Sequence, residues 1–599
     1  MFRMIGRRWW AALLLLLLVT ARSEAQSTWT GIGADTNWST AGNWDMPPIS
    51  AATLQVIFGN TTFLTSTVDA NYDINQLTFT NAAGAYTLDG AGVITFRGTS
   101  PALTHNGNST VTIDAPVAFA GNGTIGGTGT GNLILNNLWS QNGVLTVSRN
   151  ITVNTLRLGI DGGTNHAAVQ TGANTLTLTG DIRFEVLPSQ NNPAGASAPA
   201  PELGGNVFLS AGNHSFIAKN YSSVSITGEA DFNISAILSG PGGFTKTGDA
   251  VSLVAWLVFS NQNTYTGPTI LGVDSELTYA GVTNALPPMS AVTIRNGAVL
   301  VLSENLAGSN GFNQTIGSLS DAGSTNPTLP GGSLFLGPDN TAVTPVLTLG
   351  GDNTSTTYGG QIRRGGSIVK VGTGTFTVTA SDSDFLGGVT VNGGRFNTNL
   401  QTGTQSGTGT GNVTVNTGAT FGGTGRSSGA VTVNNGGRLA PGTADAVPGT
   451  LTVFGSITLN SGATFLVRLN GTGVGQATQL VAQNAVTLTG STLTASLGYT
   501  PAMADRFFVI NMTSNGFVTG EFAGLPQASS FTIDGNTAYI SYFGDIATNT
   551  LQGGNDVVIS FTPIPEPTTI LGLAVAVLLV GRRVRRLRSS RNADLGMRI

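Results

Sequence analysis

Ionisable side chains are scarce in this chain, so each is worth locating before anything is said of its fold. The three histidines, His105, His166 and His214, stand far apart, and none has a second ligand at the short spacing a zinc site uses. There is no cysteine to serve as nucleophile or metal ligand. H-E-x-x-H does not occur. Glycine-rich stretches at Gly121–Gly131 and Gly403–Gly411 lack a following helix or a G-K-[ST] ending, so they read as turns between strands and not as phosphate loops. Arg363, Arg364, Asp382, Asp384 and Arg395 fall in one region. A polysaccharide lyase or hydrolase would need such groups clustered on one face, and nothing in their spacing fixes a cleft. Lys246 and Lys370 recur in matching contexts with no carboxylate or histidine beside them. They are expected as solvated charges, or as edge positions that blunt strand pairing. The expectation is therefore no catalytic residue, no cofactor and no metal.

The C-terminal stretch speaks of address rather than chemistry. Pro565-Glu566-Pro567 is followed by an aliphatic run from Ile570 to Val580 and then by Arg582, Arg583, Arg585, Arg586 and Arg588. As a helix the apolar part is roughly 20 Å long, short for a bilayer core of about 30 Å unless the arginine stems extend it by snorkelling. The arginines would stay cytoplasmic and leave the upstream body outside. The order of these three parts resembles the PEP-CTERM sorting signal. That resemblance implies an exosortase-like processing enzyme as partner, a transient short transmembrane helix, and an envelope that produces exopolysaccharide. Residues 592–599 form a tail beyond it.

At the other end, residues 1–25 read as a signal peptide. Arg3, Arg7 and Arg8 precede an apolar core that includes Leu13 to Leu18, and Ser23-Glu24-Ala25 offers a small-x-small cleavage site. Between the two signals the composition is unusual. Charged residues make up 9% of the 599, against about 25% in ordinary soluble domains. Glycine reaches 84 residues, while hydrophobic content stays at 40%, too high for a disordered chain. The net charge of −4 gives no reason to expect a nucleic-acid partner.

The body alternates apolar residues with Thr, Asn or Ser in short runs punctuated by Gly, Asn and Asp, the period of β-strands, and no helical period is sustained. Residues 26–187 are expected as an N-terminal β-rich region opened by a cap of Trp29, Trp38 and Trp44. Residues 188–205 are rich in Pro and Ala and read as a loop or linker. Residues 206–440 carry two related segments. Lys246, Gly248, Tyr265 and Gly267 in the first align with Lys370, Gly372, Phe385 and Gly387 in the second. Both resemble the autotransporter-associated β-strand repeat, which implies a right-handed parallel β-helix. Spacing supports a solenoid independently. Val389-Thr390-Val391, Val413-Thr414-Val415, Val431-Thr432-Val433 and Leu451-Thr452-Val453 start 24, 18 and 20 residues apart, about one coil each, with the first three followed by Asn. In each triplet the outer two side chains should face the core and Thr should face out. Residues 441–562 become more aromatic and are expected as a C-terminal β-cap, with 563–591 the sorting signal.

The fold expected is thus all-β, a parallel solenoid capped at both ends, with a short C-terminal helix. The function expected is that of an exported surface or matrix protein of structural or adhesive type, associating with exopolysaccharide through rows of Thr, Asn and Ser. The alternative is a polysaccharide lyase or hydrolase on the same scaffold.

Overall fold

The computed structural model describes residues 26–564 except for 60–61, 81–83, 161–166, 187–200, 221–229, 249–254, 273–276, 304–309, 322–331, 339–341, 381–382, 400–405 and 514–515, together with Arg582 and Arg583. The signal peptide, most of the Pro/Ala-rich stretch, Pro565-Glu566-Pro567, the apolar run, and Arg585, Arg586 and Arg588 lie outside the described residues. Arg582 and Arg583 are described and exposed. Among the described residues no helix is long and apolar enough to cross a membrane. The strand Glu202–Leu209 begins within the last residues of the Pro/Ala-rich stretch.

The chain packs as two compact units dividing between Ser367 and Ile368. In the first unit parallel strands from successive coils stack in exact-residue register. One column of inward side chains runs Val56, Leu77, Leu103, Ile125, Val147. A second runs Leu88, Ile113, Leu135, Val153, Leu178, Leu209. A third holds Ile74, Phe96 and Phe119, whose two rings stack with centroids 4.4 Å apart. All of these side chains are buried. Alternation forces this arrangement: one residue in two must face inward, and a single coil has nothing to bury that face against except its neighbours. Each fully buried Val, Leu, Ile or Phe contributes roughly 1.5–3 kcal/mol, an upper figure because the unfolded chain is not fully extended.

The tryptophans close the start of the stack as expected. Trp29, Trp38 and Trp44 are buried, and Trp44 meets Trp29 and Trp38 edge-on at 5.0 and 5.4 Å between centroids, over Phe58 of the next strand. Trp44 Nε1 donates to Trp38 O at 2.8 Å and Trp38 Nε1 to Ser66 Oγ at 3.2 Å, so two of the indoles keep their polar edge satisfied inside the cap.

In the second unit the same logic runs on three strand faces. Val389–Val391 pairs with Val413–Val415, which pairs with Val431–Val433. The next rung of this face is Ile457–Leu459, not the expected Leu451-Thr452-Val453. Thr450–Val453 belongs to a different face, paired with Arg426–Ser427 and Gln479–Ala482. Both triplets alternate identically, so period alone cannot assign a face. The residue that follows does: Asn460 succeeds Leu459 as Asn392, Asn416 and Asn434 succeed their strands, whereas Phe454 follows Val453. The stack ends where pairing turns antiparallel. Arg506–Met512 pairs in parallel with Gln479–Ala482 but antiparallel with Asp556–Ser560, and Asn536–Gly544 and Ser530–Ile533 complete an antiparallel cap. Asp556 is buried and fastens it, accepting from the N–H groups of Met512 and Ile546 at 2.7 and 2.8 Å.

His105 occupies an inward position, continuing the column Phe58, Phe79. It is 1% exposed. Its Nε2 lies 2.9 Å from Ser109 O, and Nδ1 is 3.4 Å from the N–H of Gly107, the pattern of a neutral ring. Burial, reinforced by the Arg149 guanidinium, holds its pKa below the ordinary 6.5. Below that pH the folded state binds fewer protons than the unfolded chain, so stability is full above about pH 6.5 and falls as pH drops toward the folded-state pKa. His105→Phe should therefore lose less stability than the parent between about pH 8 and about pH 5.5, read from denaturant midpoints. Equal losses would contradict a buried neutral ring.

Candidate functional site

The most regular surface of the second unit is the outward side of its Val-Thr-Val face. Thr390, Thr414, Thr432, Thr458, Thr487 and Thr519 stand in unbroken register, one per coil, roughly 4.8 Å apart. The first five are half-buried and Thr519 is exposed. Beside this column runs a second. Asn416 Nδ2 donates to Asn392 Oδ1 at 2.7 Å, Asn434 Nδ2 to Asn416 Oδ1 at 2.8 Å, and Asn460 Nδ2 to Asn434 Oδ1 at 3.0 Å. In the sequence these asparagines stand as punctuation after each strand; their recurrence two places after the outward Thr is the sign that they form an amide ladder. An amide that donates to one neighbour and accepts from the other locks its own rotamer, so the face is both uncharged and rigid.

Four of the repeat-motif residues turn out to be internal: Lys246 and Tyr265 in the first unit, Lys370 and Phe385 in the second. Ile368, Val369 and Lys370 pair with Val389, Thr390 and Val391, which puts Lys370 in the inward column. It is 1% exposed, and its Nζ donates to the carbonyls of Val371 at 2.5 Å, Gly372 at 3.3 Å and, on the next coil, Gly393 at 3.5 Å. Lys246 lies between Phe216 and Leu271 in register, is also 1% exposed, and donates to Leu277 O at 3.1 Å. The expectation of solvated or edge lysines is corrected. Lysine is seldom fully buried, which misled the reading, but alternation with Ile368 already placed Lys370 inward. The stem fills core and the ammonium is satisfied by turn carbonyls, which removes the penalty of an unpaired buried charge. Gly372, at φ +68°, supplies the left-handed turn.

The other half of the motif joins coils. Asn263 Oδ1 accepts from Leu238 N–H at 2.7 Å and its Nδ2 donates to Ala285 O at 2.7 Å, tying three successive coils. The Tyr265 hydroxyl, buried and pushed up in pKa by that burial, bonds Thr269 Oγ1 at 2.5 Å, which contacts Ser290 Oγ at 2.9 Å. A Cβ on Gly267 would lie 2.2 Å from Gly243 N, so only glycine fits there. In the second copy Phe385 and Val389 replace Tyr265 and Thr269 together, removing both hydroxyls of the pair at once, a nearly neutral exchange. Gly387 is exposed there, and the close approach belongs to Gly388, whose Cβ would lie 2.1 Å from Asn412 O. Gly248 pairs in register with Ala218.

Of the charged residues grouped in the sequence, Arg395 is committed to holding structure. Arg395 is buried; its Nε donates to Asn397 Oδ1 at 2.7 Å, Nη1 to Asp445 at 2.8 Å, and Nη2 to Ala440 O and Gly442 O at 2.8 and 2.5 Å. Burial draws its pKa down while Asp445 opposes that. Its work is to pin the Pro441–Pro448 loop, with Gly422 leaving space for the guanidinium. Arg364 lies over the Phe335 ring at 4.3 Å, and Asp382 is outside the described residues. His214 Nδ1 and Nε2 sit 2.6 and 3.0 Å from Gly180 O and Ser210 O, and His166 is outside the described residues. Among the described residues no three His, Asp or Glu side chains converge as a metal site.

Part of this chain is similar to the adhesin BmaC autotransporter of Brucella suis biovar 1 (strain 1330), at 29% identity over 239 residues. The match takes in 37% of this chain and 6% of that protein, so the chain spans only a small part of its length. No family model matches the chain.

The Asn ladder makes a graded prediction. Asn392→Ala removes one amide bond of the ladder and Asn416→Ala removes two. At about 1 kcal/mol per bond, the second variant should lose about twice the stability of the first in denaturant titrations. Equal losses would mean the ladder bonds contribute nothing.

Proposed function

We propose that this chain is an exported, non-catalytic surface protein that holds neighbouring polymer by many weak contacts along its threonine and asparagine face. The observation that carries this reading is the unbroken register of Thr390 through Thr519. A hydroxyl per coil, with no charge in the column, suits hydroxyl-rich exopolysaccharide, where each contact is weak and the sum is not. The likeness to an adhesin supports an adhesive role. The commitment of Arg395 to Asp445 and to loop carbonyls leaves that arginine no part in attacking a glycosidic bond. Delivery, in this reading, uses the signal peptide and the Pro565-Glu566-Pro567 tail, with an exosortase-like enzyme removing the apolar run and Arg582 to Arg588 after a transient stay in the inner membrane.

One preparation tests both parts. Mature protein recovered from the cell surface should have a mass that ends near Pro565-Glu566-Pro567, and it should co-sediment with the exopolysaccharide of its envelope without releasing oligosaccharide. Thr414→Lys with Thr432→Lys should reduce that co-sedimentation by tenfold or so while leaving the β-sheet circular dichroism unchanged. Released oligosaccharide would move the protein to the lyase or hydrolase reading, and an intact arginine cluster would remove the sorting proposal.

A further inference from the structure

One exposed ring on the threonine face of the second unit is explained neither by stacking nor by capping. Val518 pairs with Val486 and Thr519 with Thr487. Phe517 therefore falls opposite Ala485 and turns outward with Thr519, two residues and about 7 Å along the strand from it. It is 61% exposed. Its backbone is held on both sides: the Val486 N–H donates to Phe517 O at 3.0 Å, and Asn555 Nδ2 donates to Gly516 O at 2.8 Å. A large apolar ring left in water on a fixed backbone adds nothing to the burial that holds the stack together.

Phe517 ends a third column, on the other side of the threonines from the asparagine ladder. The N–H groups of Val389, Val413, Val431 and Ile457 donate in turn to the carbonyls of Asn412, Ala430, Ser456 and Ala485, and the N–H of Ile368 to that of Gly388. These bonds align Gly388, Asn412, Ala430, Ser456, Ala485 and Phe517 coil by coil. Side chains in the column stay small until the ring, so it forms a low track beside the threonine hydroxyls, roughly 24 Å from end to end. Phe517 is the one ring or long aliphatic side chain in this track, the threonine column or the asparagine ladder, and no residue of the three is charged. Just beyond the end of the track, Glu521 is exposed and accepts from the Gln527 N–H at 3.0 Å.

These features select a ligand class. A single aromatic face amid hydroxyls suits a pyranose, whose C–H face can stack on the ring while its hydroxyls reach Thr519 and Thr487. A protein partner needs a contiguous apolar core around such a ring, and the neighbouring columns offer none. An acidic polymer would find no cation in the columns and would meet Glu521, a charge of its own sign.

We propose that Phe517 is the stacking platform of a neutral glycan, whose chain starts on that ring and runs back along the small-residue track beside Thr487, Thr458 and Thr432. The inference rests on the polymer-holding role of the threonine face. It deepens that role by naming the ligand's charge, its direction across the coils and the residue that anchors it.

The test uses the full mature chain and its Phe517→Ala and Phe517→Trp variants. Isothermal titration calorimetry with cellobiose, maltose, cellohexaose, maltohexaose and hexagalacturonate runs beside co-sedimentation with the exopolysaccharide. Both variants change an exposed side chain and should keep the parent's denaturation midpoint. At least one neutral hexasaccharide should bind the parent, more tightly than its disaccharide, and hexagalacturonate should not. Phe517→Ala should weaken that binding by about tenfold or more, and Phe517→Trp should retain it. Failure of both neutral hexasaccharides to bind, or equal binding of hexagalacturonate, would overturn the proposal. If parent and Phe517→Ala co-sediment equally with exopolysaccharide, Phe517 is no anchor, while the role of the threonine face stands. A parent that does not co-sediment overturns both. If Phe517→Ala instead dissociates a dimer of the parent in sedimentation velocity, the ring is a contact between copies and the glycan platform is overturned.

Discussion

In-register parallel pairing between coils is the constraint on which everything else in this chain depends. A short Val-Thr-Val strand has neither the length nor the partner to stand alone, so its inward side chains and its N–H and C=O groups must both be satisfied by the coils before and after it. Register then becomes the organising variable. Because the side-chain period is two, a slip by one residue would turn Val389, Val413 and Val431 outward together and every outward threonine inward. The features that look decorative in the sequence are devices against that slip. The ladder from Asn392 to Asn460 bonds like to like only when the rungs align. Asn263 reaches three coils at once. Glycines such as Gly267 and Gly388 stand where the neighbouring coil leaves no room for a Cβ.

A stack of this kind needs its ends covered, and the start of the first unit and the finish of the second are covered in different ways. At the start, buried indoles roof the first strand and satisfy two of their own N–H groups within the roof. At the finish, the pairing direction reverses on one face, where the strand Arg506–Met512, parallel to Gln479–Ala482, hands its other edge to Asp556–Ser560. Both solutions leave the flanks of the coils as the surface available for function. Those flanks are low in charge because the chain is, and what they present instead is repeated hydroxyl and amide groups at fixed spacing.

Much of this was legible in the sequence, for reasons that can be named. The strand period, the coil-length spacing, the tryptophan cap and the aromatic terminal strands are local patterns, and local patterns survive folding when every neighbour repeats them. What escaped was whatever depended on which face a coil offers. Leu451-Thr452-Val453 and Ile457-Thr458-Leu459 carry the same alternation, and only the Asn after the second distinguishes them. Lys246 and Lys370 were placed outside because charge is costly to bury, yet both strands alternate so that lysine must face in, and turn carbonyls meet it there. Arg395 drew attention as a possible catalytic group. Its four donor contacts to Asn397, Asp445, Ala440 and Gly442 could be known only once the loop was seen folded back upon it.

Register is also what a single measurement can test most directly. The chain has no cysteine, so engineered pairs report without interference. Thr432 and Thr458 are register partners on adjacent rungs, within the Cα separation of about 4.4–6.8 Å that a disulfide spans, whereas Thr452 belongs to another face. On mild oxidation the Thr432→Cys, Thr458→Cys double variant should crosslink fully within one chain, and the Thr432→Cys, Thr452→Cys variant should stay reduced. The opposite result would place Leu451-Thr452-Val453 as the next rung after Val431–Val433 and break the column on which the account rests.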